Sequence, residues 1–243
     1  VDEANLKVSN SPTNGYVLTA QSGNTGGLTW AEASGGLSSD SLFNTVGGTN
    51  AGDSFDGTNA NNNTLIGYDA GTAITEGNNN TIIGSEAGKS ITTGDDNDLF
   101  GGDCGDAITT GKNNAFYGRQ SGTNATTAER NAGFGKQTLK SITTGVENTS
   151  VGVYSGMDLT TGQYNTFLGY VAGDTATTGQ NNTCIGYYAT PSSATVSNEV
   201  TIGDSNITKF RVPGIDVVLK DNGGTPTEGH VLTVDANGEA GFA

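Results

Sequence analysis

Asn79-Asn80-Thr81-Ile82-Ile83-Gly84-Ser85-Glu86-Ala87-Gly88 decides the fold, because close variants of it return every 17 residues along most of the chain. Gly67, Gly84, Gly101, Gly118, Gly135, Gly152, Gly169, Gly186 and Gly203 keep that spacing without a slip. Four residues before them stand Asn63, Asn80, Asn97, Asn114, Asn131, Asn148, Asn165 and Asn182, with Glu199 in the ninth place. A fixed period of this kind marks a stack of identical units, each of which contacts only its neighbours.

Seventeen residues are too few for a helical hairpin repeat, and β-branched residues flanked by Gly, Asn and Asp favour short strands between turns. The residue before each glycine is apolar throughout, from Ile66, Ile83, Phe100, Tyr117 and Phe134 to Val151, Leu168, Ile185 and Ile202, and is expected to form an inward ladder. A second ladder follows seven residues after the glycine, made of Ile74, Ile91, Ile108, Ala125, Ile142, Leu159 and Ala176. Two strands per coil are therefore expected. The predicted fold is an all-β parallel β-solenoid or β-roll of nine 17-residue coils, flanked by short β-hairpin modules, homotrimeric and fibrous. Successive coils would sit about 4.8 Å apart, so the eight intervals span roughly 38 Å.

The repeated Asn is expected to cap a turn or accept left-handed geometry, and the repeated Gly to supply positive φ or close approach between coils. Leu139 and Thr190 replace the second glycine of their coils, and Ala128 replaces a turn glycine, so local bulges are expected there. Upstream, Asn44-Thr45-Val46-Gly47 looks like a zeroth coil offset by three residues, with Asp53 to Asn62 as an inserted loop.

Four segments follow: residues 1–36 as an N-terminal hairpin linking module, 37–62 as an irregular cap with an imperfect coil, 63–207 as the coil stack, and 208–243 as a C-terminal hairpin linking module. The two modules are copies of one pattern. Gly15-Tyr16-Val17-Leu18-Thr19 precedes Trp30-Ala31, and Gly229-His230-Val231-Leu232-Thr233 precedes Phe242-Ala243. Each Val-Leu-Thr strand is expected to turn through a Gly/Asn loop and return as a hairpin. The chain opens on Val1, which points to a processed chain or a piece of a longer one.

Composition limits what the chain can do. It has 39 glycines, 33% hydrophobic residues and a formal net charge of -15, with 10 cations against 25 acids. No basic patch is present, so nucleic acid is not an expected partner. No run approaches the roughly 20 apolar residues of a membrane helix, so membrane insertion is not expected either. A coil with two apolar positions encloses little volume, and backbone ordering costs roughly 1 to 2 kcal/mol per residue. Several chains around one axis are therefore expected to bury the second ladder together with Tyr68, Phe100, Tyr117, Phe134, Tyr154, Phe167 and Tyr170.

Residues with side chains suited to chemistry are few. His230 is the only histidine and has no nucleophile motif beside it, so no triad is expected. Cys104 and Cys184 lie five coils apart, about 24 Å, too far for a disulfide, and are expected to be small buried fillers. Asp95, Asp96, Asp98, Asp103 and Asp106 could gather a calcium ion, but no calcium-loop pattern is matched, and a solvated acidic face is expected. Asp69, Glu86, Asp103, Asp158 and Asp174 are the scattered carboxylates that a glycan-cleaving tailspike would have to pair, and nothing in the sequence pairs them. Thr75, Thr92, Thr109, Thr126, Thr143, Thr160 and Thr177 form a hydroxyl file that an ice-binding surface would need, although turn formation explains it equally. No catalytic, metal or cofactor-binding residue is assigned, no cofactor is expected, and the chain is not expected to be an enzyme.

The Gly-x-Val-Leu-Thr module with its returning aromatic-Ala resembles segments of tailed-bacteriophage tail fibres and related virion proteins. The repeat typified by residues 79–88 is similar to coil repeats of those fibres and, more distantly, to the heads of trimeric autotransporter adhesins. The stretch Val200-Thr201-Ile202-Gly203-Asp204-Ser205-Asn206-Ile207 through Pro213-Gly214 looks like the segment that leaves the repeat region in many phage fibres. Adhesin heads use a different period, and no anchor barrel is present in this sequence, which favours the phage reading. The resemblance implies a virion tail fibre: a homotrimeric, extended part that holds or presents a host-attachment region. Its implied partners are copies of itself, other tail or fibre proteins, and a host surface glycan or protein receptor. A bacterial surface adhesin head that binds host or matrix is the alternative. No receptor-binding residue can be transferred, because the resemblance covers scaffold motifs only.

Overall fold

In a computed structural model, the structure describes residues 37–212 continuously, with side chains to Arg211, and the backbone of five further strands. Those strands are β1 (Tyr16–Ala20) and β2 (Leu28–Glu32) before the stack, and β15 (Val217–Lys220), β16 (Leu232–Val234) and β17 (Glu239–Phe242) after it. Within the continuous part run β3 (Ser38–Ser39), β4 (Thr45–Gly47), β5 (Thr64–Ile66), β6 (Thr81–Ile83), β7 (Asp98–Phe100), β8 (Ala115–Tyr117) and β9 (Ala132–Phe134). They continue as β10 (Thr149–Val151), β11 (Thr166–Leu168), β12 (Thr183–Ile185), β13 (Val200–Ile202) and β14 (Lys209–Val212). No helix occurs among the described residues.

Strands β4 to β13 pair in sequence order as one parallel sheet, and β3 closes its N-terminal edge antiparallel to β4. The expected β-solenoid is the observed fold. Nine intervals of about 4.8 Å give the sheet a length near 43 Å. The strands are one per coil rather than two. The segment around the second ladder is held coil to coil by single bonds such as Thr92 N to Thr109 O at 2.9 Å, without becoming a strand.

The core corrects the expected polarity of the first ladder. Each strand is three residues long, and its middle residue points inward: Leu65, Ile82, Leu99, Phe116, Phe167 and Cys184 are fully buried. The residue before the glycine is next along the strand and therefore faces out. Phe134, Val151, Leu168, Ile185 and Ile202 are correspondingly exposed. Seven residues after the glycine, Ile74, Ile91, Ile108, Ile142 and Leu159 fill the coil from the other side, joined by Ala70, Ala87, Cys104 and Ala172. The second ladder and Phe167 are thus buried by the chain's own coils and need no partner to cover them. With three inward files, the coil encloses more than the two-position count suggested.

Asparagine supplies the fourth inward file. Asn44, Asn63, Asn80, Asn97, Asn114, Asn131, Asn148, Asn165 and Asn182 are all buried. The left-handed turn position falls to the residue before each of them, such as Asn79 (φ 57°) or Arg130 (φ 54°), and not to the ladder Asn itself. Each ladder Asn instead closes its own coil: Asn80 Nδ2 donates to Gly94 O at 2.9 Å and Asn97 Nδ2 to Gly111 O at 2.9 Å. The repeated glycine fills both roles expected of it. Gly101 has φ 136°, and a Cβ there would lie 2.7 Å from the Gly118 carbonyl carbon.

Replaced glycines do not bulge the stack. Registers Phe116↔Gly133 and Gly133↔Ser150 continue without interruption. Gly133 and Ser150 leave the strand file without bulk, and Leu139, buried and left-handed at φ 48°, joins the same core cluster as Phe116 and Phe167. Ala128 keeps the closing bond through its carbonyl, which accepts from Asn114 Nδ2 at 2.8 Å. The zeroth coil is real, but its offset is two residues: Gly47 pairs with Ile66, so Gly48 (φ 120°) holds the glycine position, 19 residues before Gly67.

Both flanking hairpins form. β1 pairs antiparallel with β2 from Tyr16↔Glu32 to Ala20↔Leu28, and β16 pairs antiparallel with β17. The C-terminal hairpin belongs to a four-stranded sheet ordered β14-β15-β17-β16, in which β15 runs parallel to β17.

Candidate interaction faces

The strand geometry places a continuous apolar file on the outside of the parallel sheet. Ile66, Ile83, Phe100, Tyr117, Phe134, Val151, Leu168, Ile185 and Ile202 occupy it in nine successive coils, with no charged residue among them. The aromatic members stack along the axis: Phe100 on Tyr117 at 4.6 Å and Tyr117 on Phe134 at 4.8 Å between ring centroids. Burial and the nearby Asp98 carboxylate push the Tyr117 phenol up. Ile66, Ile83, Phe100 and Tyr117 are half-buried and the five from Phe134 to Ile202 are exposed, and a continuous apolar strip of this length is the mark of an interaction surface rather than of scattered surface residues.

A second aromatic group lies two or three residues past the outer file in three successive coils. Tyr170 stacks on Tyr187 at 5.7 Å, Tyr188 meets both edge-on at 5.7 and 4.5 Å, and Tyr154 meets Tyr170 at 6.2 Å. Lys136 Nζ lies 5.7 Å from the Tyr154 ring centre. At the C-terminal end of this group is an open cavity of about 600 Å³ lined by Tyr187, Tyr188, Thr190, the end of β13 with Ile202, and the turn that follows it to Ser205.

The acidic residues singled out in the sequence are divided among separate partners. Asp95 accepts from Lys112 Nζ at 2.6 Å and from the Asn78 backbone at 3.0 Å. Asp96 accepts from Asn79 Nδ2 at 3.1 Å, Asp106 faces Lys89 Nζ at 3.4 Å, and Asp103 lies 3.9 Å from Arg119. Asp98 is exposed on its strand. Among the described residues no three His, Cys, Asp or Glu side chains converge as a metal site.

Of the carboxylates that a glycan-cleaving site would pair, Asp69, Glu86 and Asp103 occupy one file in successive coils, where Asn50 Nδ2 donates to Asp69 at 2.7 Å and Lys89 to Glu86 at 2.7 Å. Asp158 and Asp174 do come together, in adjacent coils. Burial, and then the Asp158 charge, push the Asp174 carboxyl above the usual range, and its Oδ1 is buried without a hydrogen-bond partner. Sequence reading missed this pair because its members occupy different repeat positions.

The threonine file serves the backbone. Thr92, Thr109, Thr126, Thr143 and Thr160 each donate their hydroxyl to the carbonyl of the residue one coil on, at 3.0 to 3.3 Å. Both cysteines are free and fully buried, as expected of fillers. His230 lies outside the described residues. No described helix is long and apolar enough to cross a membrane. No protein-family model, curated protein or solved structure matches the chain.

Proposed function

We propose that the chain is a structural component of a bacteriophage tail fibre, a stiff trimeric shaft that holds or presents a host-attachment region of the virion. The observation that carries this reading is the outward apolar file running through nine successive coils. A partner that covers it must match a spacing of about 4.8 Å over some 40 Å. Another copy of the same chain has that period built in, and copies arranged around one axis leave no file uncovered. Support for a virion origin comes from the terminal Val-Leu-Thr modules and the segment leaving the repeat, which resemble phage fibre segments.

Charge opposes the assembly, since three chains bring 3 × -15 = -45 together, so apolar contact has to outweigh repulsion that salt screens. Light scattering coupled to gel filtration tests the reading. The expected mass is three times 24.5 kDa, and a stable 24.5 kDa species at physiological salt would sink the shared-axis shaft.

A further inference from the structure

We infer that the notch beyond Tyr187 is a binding site for a neutral oligosaccharide, so that the shaft itself carries an attachment site. This deepens the fibre reading and rests on it for its biological setting, while its chemistry stands on the notch alone.

The site arises where a file of rings is cut short. Position by position along the axis, Val153, Tyr170 and Tyr187 follow one another, and the next coil supplies Asp204 instead of a fourth large side chain. Beside them Tyr154, Val171 and Tyr188 give way to Ser205. Tyr187 therefore stacks on Tyr170 on one side and is left 63% exposed, the most open of the tyrosines in the group. Tyr188, left-handed at φ 51° and edge-on to both rings, fixes the corner of the platform.

Opposite the rings the notch is polar and ordered. Asp204 is held by Asn206, whose backbone N–H donates to Oδ1 at 3.0 Å and whose Nδ2 donates to Oδ2 at 2.7 Å. One bond to each oxygen leaves acceptor capacity on both, since a carboxylate offers about four lone-pair sites. The Thr190 and Ser205 side chains add hydroxyls to the rim. A cavity of about 600 Å³ lies within the range that small-ligand sites occupy.

A pyranose complements this arrangement on both sides. One face of the ring is C–H and lies flat on an aromatic ring; its edge carries vicinal hydroxyls that donate to a fixed carboxylate. A nucleic acid base would also stack, but a polyanion is repelled by Asp204 and by a chain of net charge -15. The same repulsion disfavours sialylated, uronic or phosphorylated glycans. A protein anchor would need a deeper and wholly desolvated pocket. A single notch binds weakly, and several on one fibre gain by multivalency.

The test uses the full chain with four neutral trisaccharides, built from glucose, galactose, mannose and N-acetylglucosamine, and with trisialic acid as the anionic probe, read by saturation-transfer NMR and calorimetry. At least one neutral probe is expected to bind, with saturation on the tyrosine rings. Tyr187→Ala should weaken it roughly three- to tenfold, the loss of one aromatic stacking partner. Asp204→Asn should weaken it too, and Tyr187→Ala should melt with the wild type, because Tyr187 lies at the surface. The site is overturned if no neutral probe binds, if Tyr187→Ala binds as the wild type does, or if only trisialic acid binds. It is equally overturned if Tyr187→Ala disperses an oligomer, since the rings would then be a contact between copies. A wild-type chain that is monomeric yet binds a neutral probe through Tyr187 would sink the shaft and leave the site standing.

Discussion

Asn80 lies one coil after Asn63 and gives both its backbone N–H and its Nδ2–H to the same acceptor, Asn63 Oδ1, at 3.0 Å each. The pairing recurs from Asn44 onward, so a buried hydrogen-bonded file runs beside the apolar ones. One end is finished by a carboxylate and the other by a backbone N–H. Asp40 accepts from the Asn44 backbone and side chain at 2.9 and 2.8 Å, and the Glu199 backbone donates to Asn182 Oδ1 at 3.1 Å. Removing one member strands its neighbours. Asn114→Ala leaves the Asn131 N–H and the Ala128 carbonyl without these partners, a loss of about 2 to 6 kcal/mol for two buried groups. Chemical denaturation should show that loss, with exposed Asn124→Ala within about 0.5 kcal/mol of the wild type.

Two adjacent glycines separate backbone demand from mere smallness. At Gly101 the backbone is left-handed, and a Cβ would press on the Gly118 carbonyl of the next coil; at Gly102 the nearest atom is Ser85 O at 3.8 Å. Gly101→Ala should cost about 1 to 3 kcal/mol from the dihedral alone, and more if the coils must part. Gly102→Ala should fall within about 0.5 kcal/mol of the wild type. Equal melting temperatures for the two variants would refute this account of the repeated glycine.

The outer file can be tested without touching the core. Phe134 is 41% exposed and stacks on Tyr117, so Phe134→Glu removes little that the single chain buries. It places a carboxylate in the middle of the proposed contact, where desolvating a charge is costly. The light-scattering mass should fall toward 24.5 kDa while the circular dichroism of the coils is kept. An unchanged mass would move the contact elsewhere.

Cys104 and Cys184 should be chemically silent while the stack is folded. Burial is the largest cause pushing their thiols up, to about 12 and about 11, and thiolate is the reactive form. Ellman titration at pH 8 is expected to find no fast-reacting thiol in the native chain and two after denaturation. A fast native thiol would mean that the coils open locally near it.

Periodicity made the solenoid legible, because a glycine with a backbone requirement in every coil cannot drift in register. The direction of the apolar residues was not legible in the same way. In Leu65-Ile66 or Ile82-Ile83 two apolar residues stand side by side, and alternation along a three-residue strand sends only the first inward. The decisive clue lay in Gly133 and Ser150: these small residues occupy the inner file, and Leu139 answers them from another position. Phe167 likewise precedes Leu168, so it is core, while Phe100 and Phe134 immediately precede their glycines and face out. The tyrosine notch could not be read from spacing, since it exists only where the ring file ends at Asp204.

Asp174 gives the fold a pH response of defined sign. Burial and the Asp158 charge raise its carboxyl above the ordinary 3.8, so the folded chain holds that proton more tightly than the unfolded one. Above the raised folded value, where both states are ionised, the group therefore costs stability. The cost is relieved as the pH falls through the raised folded value and is gone below about 3.8. Asp174→Asn should raise the thermal midpoint at pH 7, because an amide needs no buried charge. That gain should shrink in melts taken at successively lower pH, down to about 3.8. A gain that does not change with pH would assign the effect to packing, and a loss at pH 7 would show that the ionised carboxylate has a partner in the folded chain.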